Sequence, residues 1–309
     1  MPPRIPVTPS LPEPARLRRL QEGVIDWYAR NARDLPWRDE NTGPWGVYVS
    51  EVMSHQTPVA RVEPVWRQWM QRWPEPAALA ADSPGEAVRE WGRLGYPRRA
   101  LQLHESAVAM VDRHDGQVPA DYDQLLALPG VGAYTAGAVM AFAFGRRATV
   151  LDVNIRRVQA RAVSGRALPD PAVSRLETAL ATALLPLADA DSAVWNAGVM
   201  ELGALICTAR NPACETCPLT ADCAWMEAGR PPHEGPPPRG QAWHGTDRQV
   251  RGKLMAVLRE SPGPVPAHVL EAVWPDKTQR DRCLQGLLTD GLAAETTTDD
   301  GAQTYALPR

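Results

Sequence analysis

Two glycines one residue apart, in Leu128-Pro129-Gly130-Val131-Gly132, constrain the middle of this chain more than any other feature. Glycine accepts positive φ and close backbone approach, so the stretch reads as a tight turn. Leu125, Leu126 and Leu128 close a helix predicted over 121–128, and a second helix, rich in Ala, Val and Met, is predicted over 133–144. Helix, glycine hairpin and helix together can hold a phosphate. The turn presents backbone N–H groups, and the following helix N-terminus adds the positive end of its dipole. Gly130 and Gly132 are the candidate contacts. The same string, taken alone, also fits a plain helix–helix turn.

Twenty residues past the hairpin, Asp152 follows the apolar run Thr149-Val150-Leu151. From Arg146 to Arg166 six arginines accompany this single acid. A carboxylate there suggests chemistry beside a polyanion, with the arginines forming a local basic face. An Asp after an apolar run is also a common helix N-cap. The net charge of −3 argues against a globally basic nucleic-acid coat, not against a local one.

At 309 residues the chain has room for about two domains with ample core. It shows no apolar run of membrane-spanning length and no charged segment leading into an apolar core, which predicts a cytoplasmic protein. Four of its five cysteines, Cys207, Cys214, Cys217 and Cys223, fall within seventeen residues. In a cytosolic chain such a cluster means metal or iron–sulfur before disulfide. Four thiolates alone fit zinc and an iron–sulfur cluster equally. Cys283 lies apart and reads as a core thiol.

The N-terminal residues 1–15, with six prolines, read as a disordered lead-in. Helical periodicity follows over 16–30, with Leu17, Leu20, Val24, Ile25 and Tyr28 as its apolar stripe. The stretch 45–56 reads as a buried helix whose one acid, Glu51, either faces solvent or is functional. Further helices are predicted over 58–72, 85–91, 99–112, 171–185 and 193–206, with 74–84 as a Pro/Ala connector. A Pro/Gly linker covers 228–245. The tail, 246–309, reads as a separate small domain. Its helices are expected over 248–260, 267–274 and 278–290, and two strands over 291–297 and 303–307, turned by Asp299-Asp300-Gly301. That order suggests a winged helix.

The hairpin and its downstream Asp152 resemble the helix-hairpin-helix Gly/Pro-Asp superfamily of DNA base-excision glycosylases. Ser50-Glu51-Val52-Met53, with Gln56-Thr57 after it, closely resembles the active-site helix of adenine-specific DNA glycosylases of the MutY type. The Cys-x6-Cys-x2-Cys-x5-Cys loop, directly after Leu202-Gly203-Ala204-Leu205-Ile206, is similar to the [4Fe-4S] loop of the endonuclease III and MutY families. The resemblance spans about residues 17–225.

It implies an all-α, two-lobed fold: a six-helix barrel over about 37–150, and a cluster lobe from 16–36 and 151–227. DNA would lie across the cleft with the target base flipped into it. Glu51 would protonate adenine N7. Asp152 would stabilise the oxocarbenium-like sugar or attack it. Tyr134 would assist, and Asn154 would support Asp152 and the water. Arg33, Leu35 and Trp37 would line the adenine pocket, while Gln56 and Tyr96 would wedge into the stack around the opposite 8-oxoguanine. Cys207, Cys214, Cys217 and Cys223 would hold one structural [4Fe-4S] cluster and carry Arg210 toward the DNA backbone. The expected partner is duplex DNA carrying A:8-oxoG or A:G, bound by a monomer with no membrane association.

The resemblance departs at His55, where Gln is usual, at Val153, where Gly is usual, and at Ala197, where Glu or Gln is frequent. The tail is also too short for the MutT-like domain that commonly reads 8-oxoguanine. The expected activity is monofunctional adenine excision. An endonuclease III-like glycosylase and lyase for oxidised pyrimidines would need Lys where Tyr134 stands. A non-enzymatic iron–sulfur DNA-binding protein would be favoured by loss of Glu51 or Asp152, and both are present.

Overall fold

The computed structural model describes residues 11–233, 235, 243–298 and 301–309. Along it run α1 (Pro14–Asn31), α2 (Gly43–Ser54), α3 (Val59–Arg72), α4 (Pro76–Ala80), α5 (Pro84–Trp91), α6 (Arg98–Arg113), α7 (Tyr122–Leu126) and α8 (Ala133–Phe142). After them come α9 (Val153–Ala162), α10 (Arg175–Leu184), α11 (Asp189–Leu205), α12 (Ala224–Glu227), α13 (Asp247–Glu260), α14 (Ala267–Glu271) and α15 (Lys277–Thr289). The strands are β1 (Val265–Pro266), β2 (Ala294–Thr297) and β3 (Gln303–Ala306). The helix starts are written in the sequence. Proline opens α1, α2, α4 and α5, where a missing N–H costs nothing. Ser83 and Ser174 accept from the backbone N–H of Glu86 and Glu177, three residues on, in the capping-box spacing.

Two contact units divide the chain. The first comprises the described parts of Met1–Arg38, Ala120–Leu126 and Val131–Pro236. Its core joins Leu20, Val24 and Trp27 of α1 with Ala138 and Ala141 of α8, Ile155 and Val158 of α9, Leu184 of α10, and Trp195, Val199 and Leu202 of α11. Close approach of α9 to α11 depends on Gly203: a Cβ there would lie 2.7 Å from Asn154 Cβ and 2.8 Å from its carbonyl oxygen.

The second unit comprises Asp39–Pro119, Ala127–Gly130 and the described part of Pro237–Arg309. Every residue of α2 from Trp45 to Met53 is buried. A tryptophan cluster surrounds that helix. Trp66 Nε1 donates to Gly46 O (2.8 Å) and Trp45 Nε1 to Trp73 O (3.0 Å). Trp69 packs edge-on to Trp73 and Trp91 at 4.8 and 5.6 Å between ring centres. Tyr48 Oη donates to Ser106 Oγ (2.9 Å), which donates to Pro129 O (2.7 Å), so α2, α6 and the start of the glycine hairpin are tied by one chain of hydrogen bonds.

The tail folds as three helices and a three-stranded antiparallel sheet in the order β1-β3-β2, with Val265 opposite Tyr305 and Thr296 opposite Thr304. That is the arrangement of a winged helix. It does not stand apart from the body. Arg89 donates to the carbonyls of Arg259 and Ser261, and Arg259 Nε donates to Val88 O (3.2 Å). The chain end lies on Gly85, where an added Cβ would meet Pro308 O at 2.2 Å.

Several boundaries differ from the sequence reading. The connector 74–84 contains α4, begun by Pro76. Helix α1 starts at Pro14, inside the expected lead-in, of which residues 1–10 lie outside the described residues. The expected barrel ended near 150, yet α8 belongs to the first unit, because Ala138 and Ala141 are buried in that unit's core. The tail shows a third strand, β1, too short for its alternation to register. Asp299 and Asp300 of the expected turn, and residues 234 and 236–242 of the linker, lie outside the described residues. Among the described residues no helix is long and apolar enough to cross a membrane.

Candidate active site

In the second unit Glu51 sits on α2 with 8% of its surface exposed, flanked by buried Val47, Val52 and Met53. The solvent-facing alternative for this acid is therefore excluded. Just past the helix, Gln56 has φ of +55°, and across the unit Tyr96 has φ of +49°. Non-glycine residues rarely adopt this left-handed backbone. Tyr96, 53% exposed, donates its hydroxyl to Gln56 Oε1 at 3.1 Å, so the two expected wedge residues form one assembly. His55, in the place where Gln is usual, has its imidazole pKa lowered to about 4 by burial and by the Arg99 charge.

In the first unit Asp152 is the N-cap of α9. Its Oδ1 accepts from the backbone N–H of Asn154 (2.9 Å) and Ile155 (2.7 Å), and its Oδ2 from the Asn154 side-chain amide (2.7 Å). The N-cap reading of Asp152 thus holds, and it fixes the carboxylate in one orientation. Asn154 Oδ1 in turn accepts from Arg157 (2.8 Å), whose guanidinium also donates to the carbonyls of Gly203 and Cys207 at 2.6 Å each. Burial raises the Asp152 pKa above the usual carboxylate value; the hydrogen bonds and the Arg157 charge oppose that rise. Val153 beside it is 63% exposed. Gly132 is the N-cap of α8 and has no side chain with which to cap it, and Tyr134 packs half-buried against the unit's core.

The arginines around Asp152 do not form the expected basic face. Arg146 reaches Asp189 at 3.5 Å, the Arg147 guanidinium donates to the carbonyls of Pro186 and Thr182, Arg156 forks onto Glu177 (2.7 and 2.9 Å), and Arg166 pairs with Asp170 (2.5 Å). Arg157 and Arg161 are buried on backbone carbonyls. Counting charges along the sequence overlooked acids at 170, 177 and 189, which the fold brings beside them.

The four clustered cysteines line one small cavity together with Arg161, Ile206, Pro212, Trp225 and Met226. Arg161 donates to Cys207 Sγ at 3.3 Å and stacks over Trp225 at 4.7 Å. Burial pushes the Cys217 thiol up to about 11, with the neighbouring thiols adding to the rise. Four cysteines on one cavity are the donor set that an iron–sulfur cluster takes. Among the described residues no three or more His, Cys, Asp or Glu side chains are gathered for one metal ion. The sulfurs border a shared cavity rather than meeting at a point.

Comparison with known proteins decides the family. Residues 49–180 match the model described as "HhH-GPD superfamily base excision DNA repair protein", and 207–223 match the iron–sulfur binding domain of endonuclease III. Adenine DNA glycosylase of Mycobacterium tuberculosis is 49% identical over 96% of this chain and 97% of its own length. The chain belongs to the adenine DNA glycosylase family. The Mycolicibacterium smegmatis relative is 50% identical over 88% of this chain, and the human one 38% over 68% of this chain and 40% of its own length. Among solved structures, a thermostable thymine-DNA glycosylase superposes with a TM-score of 0.62 at 26% identity, covering 69% of this chain and 98% of that one.

In this adenine DNA glycosylase family member one of the pocket residues expected from sequence, Arg33, is committed to a buried acid. Leu35 and Trp37 are buried. Arg33 forks onto Glu201 at 2.7 and 2.8 Å, and Arg38 reaches the same carboxylate at 3.0 Å. The two arginines hold the Glu201 carboxyl down at about 2 against the cost of its burial. Sequence reading missed Glu201, Arg38 and Arg99. An acid in the otherwise apolar run Val199-Met200-Glu201-Leu202 was the available signal for Glu201.

Proposed function

We propose that this chain hydrolyses the N-glycosidic bond of adenine mispaired with 8-oxoguanine or guanine in duplex DNA, leaving the strand intact. The observation that carries the reading is the held carboxylate of Asp152, aimed by two backbone N–H groups and one amide. Glu51, the buried acid of α2, delivers a proton to adenine N7, which makes the base a better leaving group. Asp152 faces the positive charge that develops on the deoxyribose as the C1′–N9 bond breaks. Asn154 holds Asp152 in place and orients the water that attacks C1′, whose proton leaves to solvent or a nearby base. Tyr134 assists at the start of α8. Arg33, Leu35 and Trp37 line the adenine pocket, and Gln56 and Tyr96 fill the stack opposite the departing base. Cys207, Cys214, Cys217 and Cys223 would hold the iron–sulfur centre, proposed as [4Fe-4S], which would close the loop after α11 and leave the chemistry to these side chains.

DNA contact is proposed through backbone N–H groups at Gly130 and Gly132 and through Arg210, since the arginines from 146 to 166 are occupied within the protein. Strand cleavage would need an amine that forms an imine with the sugar. The chain contains two lysines, Lys253 and Lys277, both in the tail. Incubation with duplexes carrying A:8-oxoG, A:G, A:T and thymine glycol, scored for base release, tests the proposal. Adenine release from the first two alone is expected.

A further inference from the structure

We infer that Arg99 is a positioning residue that sets preference for the base opposite adenine, by holding Gln56 and Tyr96 together and tying them to the helix that carries Glu51. The inference rests on the proposed function, in which Gln56 and Tyr96 meet that opposite base.

Arg99 enters from the first turn of α6 and ends beneath the wedge. Its Nη1 donates to His55 O at 2.6 Å and to Val52 O at 3.1 Å, with Met53 O at 3.5 Å. Its Nη2 reaches Thr57 Oγ1 and Gly95 O, both at 3.4 Å. One guanidinium therefore ties the last carbonyls of α2 to the turn just before Tyr96. A cation at this end of a helix faces the negative end of the dipole, where it stabilises. The same guanidinium lies 5.0 Å from the centre of the Tyr96 ring and 5.6 Å from that of Trp91. Burial depresses its pKa, the neighbouring Tyr96 opposes the fall, and its Nε is buried without a hydrogen-bond partner. A buried cation met by carbonyls, a hydroxyl and ring faces is costly to keep. Its position explains why it is kept: it joins His55 and Thr57, which flank Gln56, to Gly95 and the Tyr96 ring, and both Gln56 and Tyr96 are in left-handed backbone. Such conformations persist only where the surroundings over-determine them.

The consequence is mechanical. Val52 follows Glu51 directly, and Val52 O and His55 O are bound by the same guanidinium, through Nη1, that reaches the Tyr96 turn through Nη2. Displacement of Tyr96 or Gln56 by the wrong opposite base therefore loads the end of the helix that carries the general acid. Lysine in place of Arg99 keeps the charge but has no planar fork to span both sides or to stack on Tyr96.

The test uses the full-length, cluster-loaded protein and single-turnover adenine release. Wild type, Arg99→Lys, Tyr96→Ala and the double variant are compared on A:8-oxoG and A:G, with thermal melting and cluster absorbance as controls on folding. Arg99→Lys is expected to lose about tenfold more rate on A:8-oxoG than on A:G, and the double variant to resemble Tyr96→Ala alone, because the two residues act as a unit. Parallel losses on both duplexes, additive effects in the double variant, or an unchanged ratio would overturn the inference and leave Arg99 a structural cap. If Arg99→Lys does not fold, Arg99→Gln, which retains donors for the carbonyls, carries the same comparison. A wild type that releases no adenine, or does not distinguish the two duplexes, would instead overturn the proposed function.

Discussion

Replacing Glu201 with Gln gives the sharpest energetic expectation. The carboxylate is 1% exposed and takes four hydrogen bonds: the Arg33 backbone N–H (3.0 Å), the Arg33 fork and Arg38. The fall of its pKa from 4.5 to about 2 corresponds to about 3 kcal/mol at neutral pH. The Arg33 and Arg38 side chains are 36% and 25% exposed, so water can recover part of what the variant loses. A cost of about 2 kcal/mol is the reasonable figure after that screening. Because the folded value lies below the unfolded one, the stabilisation is complete above about pH 4.5 and is lost as pH falls toward 2. Urea unfolding followed by far-ultraviolet circular dichroism should place Glu201→Gln about 2 kcal/mol below wild type at pH 7, with the gap closing below pH 4.5. Adenine release should drop as well, since Leu35 and Trp37 sit on the segment that Arg33 and Arg38 anchor. Equal unfolding midpoints at pH 7 would refute the assignment of this cluster as the anchor.

Other expectations follow from the same structure. Anaerobically purified protein should be brown, with iron and sulfide near four each per chain; stoichiometric zinc instead would contradict the iron–sulfur assignment. Borohydride should trap little or no protein–DNA adduct, and the product strand should break only under alkali or heat; efficient nicking without alkali would move the protein to the lyase class. The acid limb of the pH–rate profile should lie above the value of an ordinary aspartate, since burial raises the Asp152 pKa and the ionised form is the active one; a limb below that ordinary value would count against that role. Gly85→Leu, which must displace the chain end at Pro308, should lower the melting temperature of the whole protein; an unchanged melting curve would mean that the tail does not brace the body.

The glycine hairpin, the cysteine spacing and the string around Glu51 were legible because each depends on residues close in sequence. Most helix starts were legible to within about a turn, as helical periodicity and proline are local signals, but α4, α9 and α12 were not read as helices and α10 and α11 begin four residues from where they were expected. What failed was charge read along the chain. Arg156 looked available for a polyanion until α10 brought Glu177 against it. The roles of Arg99 and Arg38 were invisible for the same reason, since their partners lie on other elements, and Glu201 showed only as an acid in an apolar run. The tail's helices could be read from their periodicity, but its contact with α5 depends on carbonyl groups and on the space above Gly85, neither of which leaves a pattern in the sequence.

The central claim is that Glu51 supplies the proton and Asp152 the charge for adenine excision. Single-turnover release from A:8-oxoG duplex by wild type, Glu51→Gln and Asp152→Asn, alongside duplex binding by each, tests it most directly. Wild type should release adenine, and both variants should bind the duplex while releasing no measurable base. A Glu51→Gln enzyme with a near wild-type rate, or a wild type that frees thymine glycol and not adenine, would contradict it.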